Sequence, residues 1–271
     1  MPELPEVETS RRGIDPHVCN RTINQVIIRE PRLRWPVDPQ ISRILPGSKI
    51  TSTDRRGKYL LIYTTQGCLI VHLGMSGSVR IVSASEPVRK HDHIDIVMDN
   101  HTALRYHDPR RFGAMLWTTE PVLEHDRLRH LGPEPLDDNF NIPYLYRCSR
   151  GKKVPVKTFI MDSHIVVGVG NIYANEALYM AGISPKREAG KISRQRYERL
   201  IAAIKDVIAN AINVGGTTLR DFVGSDGKPG YFKQSLQVYG RAGQPCQKCQ
   251  TPLTEIRIAQ RSTVYCRHCQ R

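Results

Sequence analysis

Leu4, Val7 and Ile14 recur at helical spacing near the N-terminus, and the residues between them suit a helix lying on a core. Pro5 fits the first helical turn, Glu6 and Glu8 sit near the positive end of the dipole, and Gly13 can close the helix. From residue 22 to 118 the texture changes to short apolar and β-branched runs: TINQVIIRE, KYLLIYTT, CLIVHL, SVRIV, HIDIVM, TALRYH and AMLWT. They recur about every ten residues and are divided by turn signals such as Gln66-Gly67 and Asp99-Asn100. That pattern predicts an antiparallel sandwich or barrel.

After Gly113 the strands stop recurring. LGPEPLDDNF (131–140) is rich in proline and acid and reads as a linker or hinge. Helical texture follows, with one helix over 171–182 closed by Gly182 and a second over 193–216 opened by Ser193 and ended by Gly215. Tyr197, Leu200, Ile201, Ile204, Ile208 and Ile212 make an apolar stripe on the second helix, which is a core face. Residues 217–240, with several Gly and Pro and little periodicity, read as a flexible loop. At 271 residues the chain is long enough for more than one domain. The expected division is an α+β multidomain chain: a β-sandwich domain over 1–133, a linker over 134–150, a helical domain over 151–236 and a C-terminal module over 237–271.

Charge changes the picture. Lys and Arg number 40 against 26 Asp and Glu, a formal charge of +14, and most of the excess falls in the second half. A solvated, solubilising surface is one reading; a nucleic-acid-binding second half, neutralising phosphates, is the sharper one. Charge alone does not separate DNA from RNA or ribosome. With 39% hydrophobic residues, no apolar run approaches the roughly 18 residues that span a bilayer. MPELPEVETSRR carries acids and prolines where a signal peptide would be basic and then apolar. The expectation is a soluble, cytoplasmic protein with a polyanionic partner.

Four of the seven cysteines stand at the end as Cys246-x2-Cys249 and Cys266-x2-Cys269. Two such knuckles converge on one tetrahedral zinc ion at about 2.3 Å per thiolate, with TPLTEIRIAQRSTVY between them folding back as two short strands. Four protein ligands leave no open position, so the ion is structural. Disulfides fit poorly with a cytosolic chain. Cys19, Cys68 and Cys148 show no such grouping and read as ordinary reduced thiols. Arg261, on the second limb of the hairpin, is a candidate phosphate contact or a solvated surface cation.

Position two is proline. Removal of Met1 exposes a secondary amine on Pro2, and an α-amino group has a reference pKa of about 7.7–8.0, far below that of lysine. A helix N-terminus beside it depresses that value further. A neutral amine can attack a sugar C1′ or an aldehyde to give a Schiff base. Glu3 is adjacent as a general acid and Glu6 lies one turn on. The competing reading of Pro-Glu is ordinary helix-start chemistry.

MPELPEVET, RRGKYL (55–60), HLGMSGS (72–78), DPRRFG (108–113), VGVGNIYANEAL (167–178), SDGKPGYF (225–232) and the four-Cys finger with AQR together resemble the formamidopyrimidine-DNA glycosylase family, from end to end and in order. The opening Pro2-Glu3-Leu4-Pro5-Glu6 is similar to the guanine-lesion branch and differs from the Pro-Glu-Gly-Pro-Glu of the endonuclease VIII branch. The resemblance implies a β-sandwich domain, a helix–two-turn–helix domain and a β-hairpin zinc finger, with DNA in the cleft between the domains. It implies excision of oxidised purines from damaged double-stranded DNA by a monomer needing no catalytic or redox cofactor, followed by strand cleavage. Pro2 then attacks C1′, Glu3 supplies a proton, Glu6 supports that network, Lys58 donates a proton in β-elimination, and Arg261 grips phosphate and serves δ-elimination. Met75, Arg110 and Phe112 match the family's inserted side chains, which fill the stack once the nucleotide is extruded; core packing is the competing reading for each. Arg110 can also hydrogen-bond the orphaned cytosine. His91, Arg110, Lys152, Asn171 and Tyr239 correspond to DNA contacts, and the loop over 217–240 to one that closes over the flipped base. Two rivals stand beside this reading: an oxidised-pyrimidine glycosylase, and a zinc-dependent DNA-binding protein without chemistry.

Overall fold

The computed structural model describes residues 2–218 and 236–271. It begins with helix α1 (Leu4–Val18), which runs past the stop expected at Gly13. Leu4, Val7, Ile14 and Val18 are all buried, so the apolar stripe continues beyond the glycine. Burying those two further side chains outweighs the cost of about 1 kcal/mol for a mid-helix glycine. The turn out of the helix falls instead at Asn20, whose φ of 66° is the left-handed conformation that asparagine tolerates.

Two four-stranded antiparallel sheets follow. One runs in the order β1 (Ile23–Ile28), β6 (Asp92–Met98), β7 (Thr102–His107), β5 (Ser78–Ser83); the other runs β2 (Ile50–Arg56), β3 (Tyr59–Thr64), β4 (Gly67–His72), β8 (Ala114–Thr118). A short helix, α2 (Ile41–Ile44), precedes β2. Strand β2 was not anticipated: in ITSTDRR only Ile50 and Thr53 turn inward, too few to show an alternation. A single core cluster joins Val7, Ile14 and Val18 of α1 to Ile23, Ile94, Ile96 and Leu104 of the first sheet and Ile50, Leu60, Ile62, Leu69 and Val71 of the second. The sheets are therefore the two faces of a sandwich with the helix closing one edge of its core.

The second half holds α3 (Ile142–Ser149), α4 (Val156–Ile160), α5 (Asn171–Met180) and α6 (Arg194–Thr218), then a hairpin of β9 (Thr254–Ile258) and β10 (Arg261–Tyr265). Helix α3 lies inside the stretch expected to be a linker. It is started by Asn141, whose side chain accepts from the Tyr144 N–H, and it buries Leu145. Helix α5 ends before Gly182, at φ +67°, as the sequence indicates. Helix α6 runs through Gly215 to Thr218, since a glycine without a following reversal does not stop a helix. The loop expected over 217–240 falls mainly outside the described residues. The chain divides into two compact units, one built on Met1–Arg129 and the other on His130–Ala211 with the C-terminal finger; the division falls within α6.

Candidate functional site

In the first unit, half-buried Pro2 leads directly into Glu3, the N-cap of α1. Glu3 and Glu6 close a reciprocal capping box: the Glu3 carboxylate accepts the Glu6 N–H, and the Glu3 N–H donates to Glu6 Oε2 at 2.8 Å. Glu3 is 2% exposed, so the helix start fixes a buried carboxylate next to the second residue of the chain. One turn on, buried Glu8 accepts from Arg11 and Arg12 and lies 3.3 Å from Arg55. Burial alone would raise this carboxyl, but the hydrogen bonds of Arg11 and Arg12 and the charges of Arg11 and Arg55 outweigh it and hold it below its ordinary value. Arg55 also donates to the Gly57 carbonyl at 3.1 Å, which fastens the turn between β2 and β3 to α1. Lys58 stands in that turn, half-buried, with Gly57 at φ +57° before it.

The two loops at the ends of β4 and β7 meet at their glycines. A Cβ on Gly74 would lie 2.4 Å from the Gly113 nitrogen, and one on Gly113 would lie 2.5 Å from the His72 oxygen. Only glycine lets the backbones approach this closely. Fully buried Asp108 ties both loops: one oxygen accepts from Ser76 Oγ at 3.0 Å and the Arg110 N–H at 3.3 Å, the other from the Gly113 N–H at 2.8 Å and the Tyr106 hydroxyl at 3.2 Å. Met75 is left 41% exposed and Phe112 46% exposed, with the Arg110 guanidinium 4.8 Å from the Phe112 ring centroid. An exposed Met and Phe on adjoining, rigidly held turns form a wedge and not a core. His91, at φ 75°, accepts the Asp108 N–H on its carbonyl. Its partial burial and the charges of Lys90, His107, His93 and Arg111 push its imidazole below the usual value.

His72, at the end of β4, was not anticipated. Burial, with the charges of Lys58 and Arg34, pushes its pKa down to about 4, so the ring is neutral at pH 7. Nδ1 accepts the Gly74 N–H at 3.0 Å, which leaves the proton on Nε2 as a donor. HLGMSGS contains this histidine, but only its contact with Gly74 fixes the tautomer.

The second unit organises the finger. The four cysteine sulfurs lie within 4.8 Å of one another, with Cys246 and Cys269 3.9 Å apart and Cys249 and Cys266 3.4 Å apart. Tetrahedral zinc with bonds of about 2.3 Å needs sulfur separations of about 3.8 Å, so the donor set fits one structural zinc. The Tyr179 hydroxyl of α5 stands 3.2 Å from Cys246 Sγ, an outer-shell donor to a thiolate. By contrast, burial pushes the Cys19 thiol up to about 11 and the Cys68 thiol up to about 12, and both stay protonated at neutral pH.

Between the knuckles, β9 and β10 pair with Ile258 opposite Arg261. The two linking residues, Ala259 and Gln260, both have positive φ, the twist of a tight hairpin that Gly or Asn normally supplies. Exposed Arg261 follows immediately. Its neighbours are held from the helices: Lys157 of α4, 1% exposed, donates to the Ser262 carbonyl at 2.9 Å and to Thr263 Oγ1 at 2.6 Å. Asn171, the first residue of α5, donates to the same carbonyl at 3.1 Å, and Asn175 accepts the Val264 N–H at 3.0 Å. A cavity of about 400 Å³ between α4 and the hairpin is lined by Lys152, Lys157 and Arg261, with Val154, Phe159 and Ile258. Glu176 takes the N–H groups of Gln237, Val238 and Tyr239 at 2.7–3.0 Å, which sets Tyr239 at the start of the finger.

Family models match three stretches: the formamidopyrimidine-DNA glycosylase N-terminal domain over residues 1–115, the H2TH domain of the same family over 131–223, and the zinc finger found in FPG and IleRS over 243–271. The chain is 58% identical to the formamidopyrimidine-DNA glycosylase of Marinobacter nauticus over 271 residues, all of both chains. The chain belongs to the formamidopyrimidine-DNA glycosylase family. Among solved structures, the Lactococcus lactis Fpg in complex with N7-benzyl-Fapy-dG DNA is similar at TM-score 0.90 and 32% identity over 99% of both chains. The Thermus thermophilus MutM (Fpg) protein is similar at TM-score 0.85 and 39% identity over 99% of this chain and 98% of that one.

Within this family member, Pro2, Glu3 and Glu6 stand together at one helix start, and Met75, Arg110 and Phe112 on one pair of loops beside His91. Lys152, Asn171, Tyr239, Arg261 and the four cysteines share the second unit. Asp108, Lys157, Glu176 and the Glu8–Arg55 pair were not anticipated, because their partners are remote in the sequence. Met1 and SDGKPGYF (225–232) lie outside the described residues. Among the described residues, no helix is long and apolar enough to cross a membrane.

Proposed function

We propose that this protein is a bifunctional glycosylase and lyase of base excision repair that removes oxidised purines, chiefly 8-oxoguanine and formamidopyrimidines, from duplex DNA. The observation that carries the reading is Pro2 placed directly before the buried N-cap Glu3, in a chain similar end to end to formamidopyrimidine-DNA glycosylases. Once Met1 is removed, the Pro2 nitrogen pair attacks C1′ and the C1′–N bond breaks, its electrons leaving with the base. Glu3 protonates the sugar oxygen, the ring opens and an iminium forms, with Glu6 holding the helix start in place. The iminium acidifies C2′–H, and loss of that proton expels the 3′ phosphate. Lys58 serves proton transfer in this step, and a second elimination, aided by Arg261, expels the 5′ phosphate.

Met75, Arg110 and Phe112 fill the stack vacated by the extruded nucleotide, and Arg110 meets the orphaned base. His91, Lys152, Asn171 and Tyr239 hold the sugar–phosphate backbone. Zinc, held by the four cysteines, shapes the finger and takes no part in bond making. The working arrangement is a β-sandwich domain, a helical domain that takes in α3, and the C-terminal finger. The protein acts as a monomer in the bacterial cytoplasm, associated with the nucleoid through DNA.

The test is incision of duplexes carrying one 8-oxoguanine, one formamidopyrimidine or one oxidised pyrimidine, with Pro2→Gly as control. The expected result is preferred cutting at the purine lesions opposite cytosine, weakened in Pro2→Gly, which replaces the secondary amine by a primary one. Preferred cutting at the oxidised pyrimidine assigns the protein to the sister activity and overturns the substrate reading.

A further inference from the structure

Arg34 and Arg127 converge on one indole. The guanidinium carbons lie 4.7 Å and 4.1 Å from the Trp35 ring centroid. Trp35 is half-buried, whereas both arginines are exposed. Stacking uses the faces of the guanidiniums and leaves their N–H edges to donate elsewhere. Two carboxylates close to them in the sequence are taken: Glu30 pairs with Arg32 and Arg111, and Asp126 pairs with Arg129. Among the described residues neither Arg34 nor Arg127 forms an ion pair. Two like charges gathered on one ring without a counter-charge repel each other, and an anion between their edges relieves that repulsion.

The place of this pair narrows the anion. The Arg34 N–H donates to the Gly113 carbonyl at 3.0 Å, which anchors it to the loop that carries Arg110 and Phe112. Both arginines also lie within electrostatic reach of Tyr59, the residue after Lys58. The charges of both arginines oppose the effect of burial on the Tyr59 hydroxyl, and the Arg34 charge reaches His72. The pair thus stands on the indole beside the loop of Arg110 and Phe112, within electrostatic reach of Tyr59 and His72.

We propose that Arg34 and Arg127, braced on Trp35, clamp a backbone phosphate of the duplex beside the wedge. The inference rests on the DNA-repair reading above and adds a binding site to it. The clamp touches no reacting atom, so it governs affinity and not chemistry, and it serves damaged and undamaged duplex alike.

The experiment measures the salt dependence of binding to a duplex with an uncleavable abasic analogue and to an undamaged duplex, for the zinc-loaded full chain and for Arg34→Gln, Arg127→Gln and the double variant. Each phosphate neutralised contributes about 0.9 to the slope of log Kobs against log[salt]. The double variant is expected to lose about that much on both duplexes, with an unchanged single-turnover incision rate at saturating DNA. An unchanged slope with a lowered Tm makes the arginines mere packing for Trp35 and overturns the proposal. A slope change on the abasic duplex alone also overturns it, because a phosphate clamp is indifferent to the lesion. If the wild-type chain neither binds nor incises, the functional reading fails, which is a separate outcome from an active wild type whose variants keep its slope.

Discussion

The wedge and the finger both present an arginine from a tight turn, yet they are held by opposite means. At the wedge the organiser is a buried anion. Asp108 collects two backbone N–H groups and two hydroxyls, and glycines at 74 and 113 let the loops close on it. At the finger hairpin the organiser is a buried cation. Lys157 donates to a backbone carbonyl and a hydroxyl, while Asn171 and Asn175 add bonds from the next helix. A carboxylate suits turns that point their N–H groups inward, and an ammonium suits a strand that offers its carbonyl. The wedge also draws on a hydrophobic core shared by two sheets. The finger's core is small, built of Tyr179, Val238, Leu253 and Val264 around the cysteines, so its order depends on the metal.

That contrast is broken first by removing zinc. Chelation is expected to unfold the hairpin and abolish incision, while the sandwich keeps its thermal transition; calorimetry with parallel incision assays checks this, and loss of both transitions together contradicts it. Next in size is Asp108→Asn, which replaces an acceptor by an amide donor among groups that are themselves donors. It is expected to cost the first unit about 1–3 kcal/mol by denaturant titration, with zinc content unchanged. Lys157→Met should cost less, about 1 kcal/mol, because Asn171 still serves the Ser262 carbonyl and the desolvation cost of the ammonium is relieved. Its signature is weaker DNA binding with a normal first-unit transition.

The smallest effect is in pH. Burial would raise Asp92 and Asp95, but hydrogen bonds from Arg80, the Arg89 N–H and His107 to Asp92, and from Arg29 and Arg105 to Asp95, lower both. Glu8 is lowered likewise. Folded values below the unfolded ones give stability that is full above the ordinary carboxyl range of 3.8 to 4.5 and is lost as pH falls through the folded values. The first unit's Tm should therefore drop below that range, and less steeply in Asp95→Asn.

Much of this was legible along the chain. Cysteine spacing reports a metal site because ligands from two knuckles must converge, and the recurring apolar runs report the sandwich. Strand β2 escaped because it turns only two residues inward, and Gly13 misled because the apolar stripe continues beyond it. Helix α3 was hidden because it directly follows a segment rich in proline and acid and buries only Leu145 and Ser149. The organisers were illegible for a different reason. Lys157 meets Ser262 across a separation of 105 residues, and Asp108 meets Ser76 across 32, so neither pairing leaves a local pattern.

The central claim is that chemistry begins at the Pro2 amine. Borohydride trapping on a duplex with one 8-oxoguanine opposite cytosine tests it most directly, with removal of Met1 and zinc content verified beforehand. The account expects a covalent protein–DNA adduct whose peptide map ends at Pro2. An adduct mapping to a lysine, or none on 8-oxoguanine, an oxidised pyrimidine or an abasic site, contradicts it.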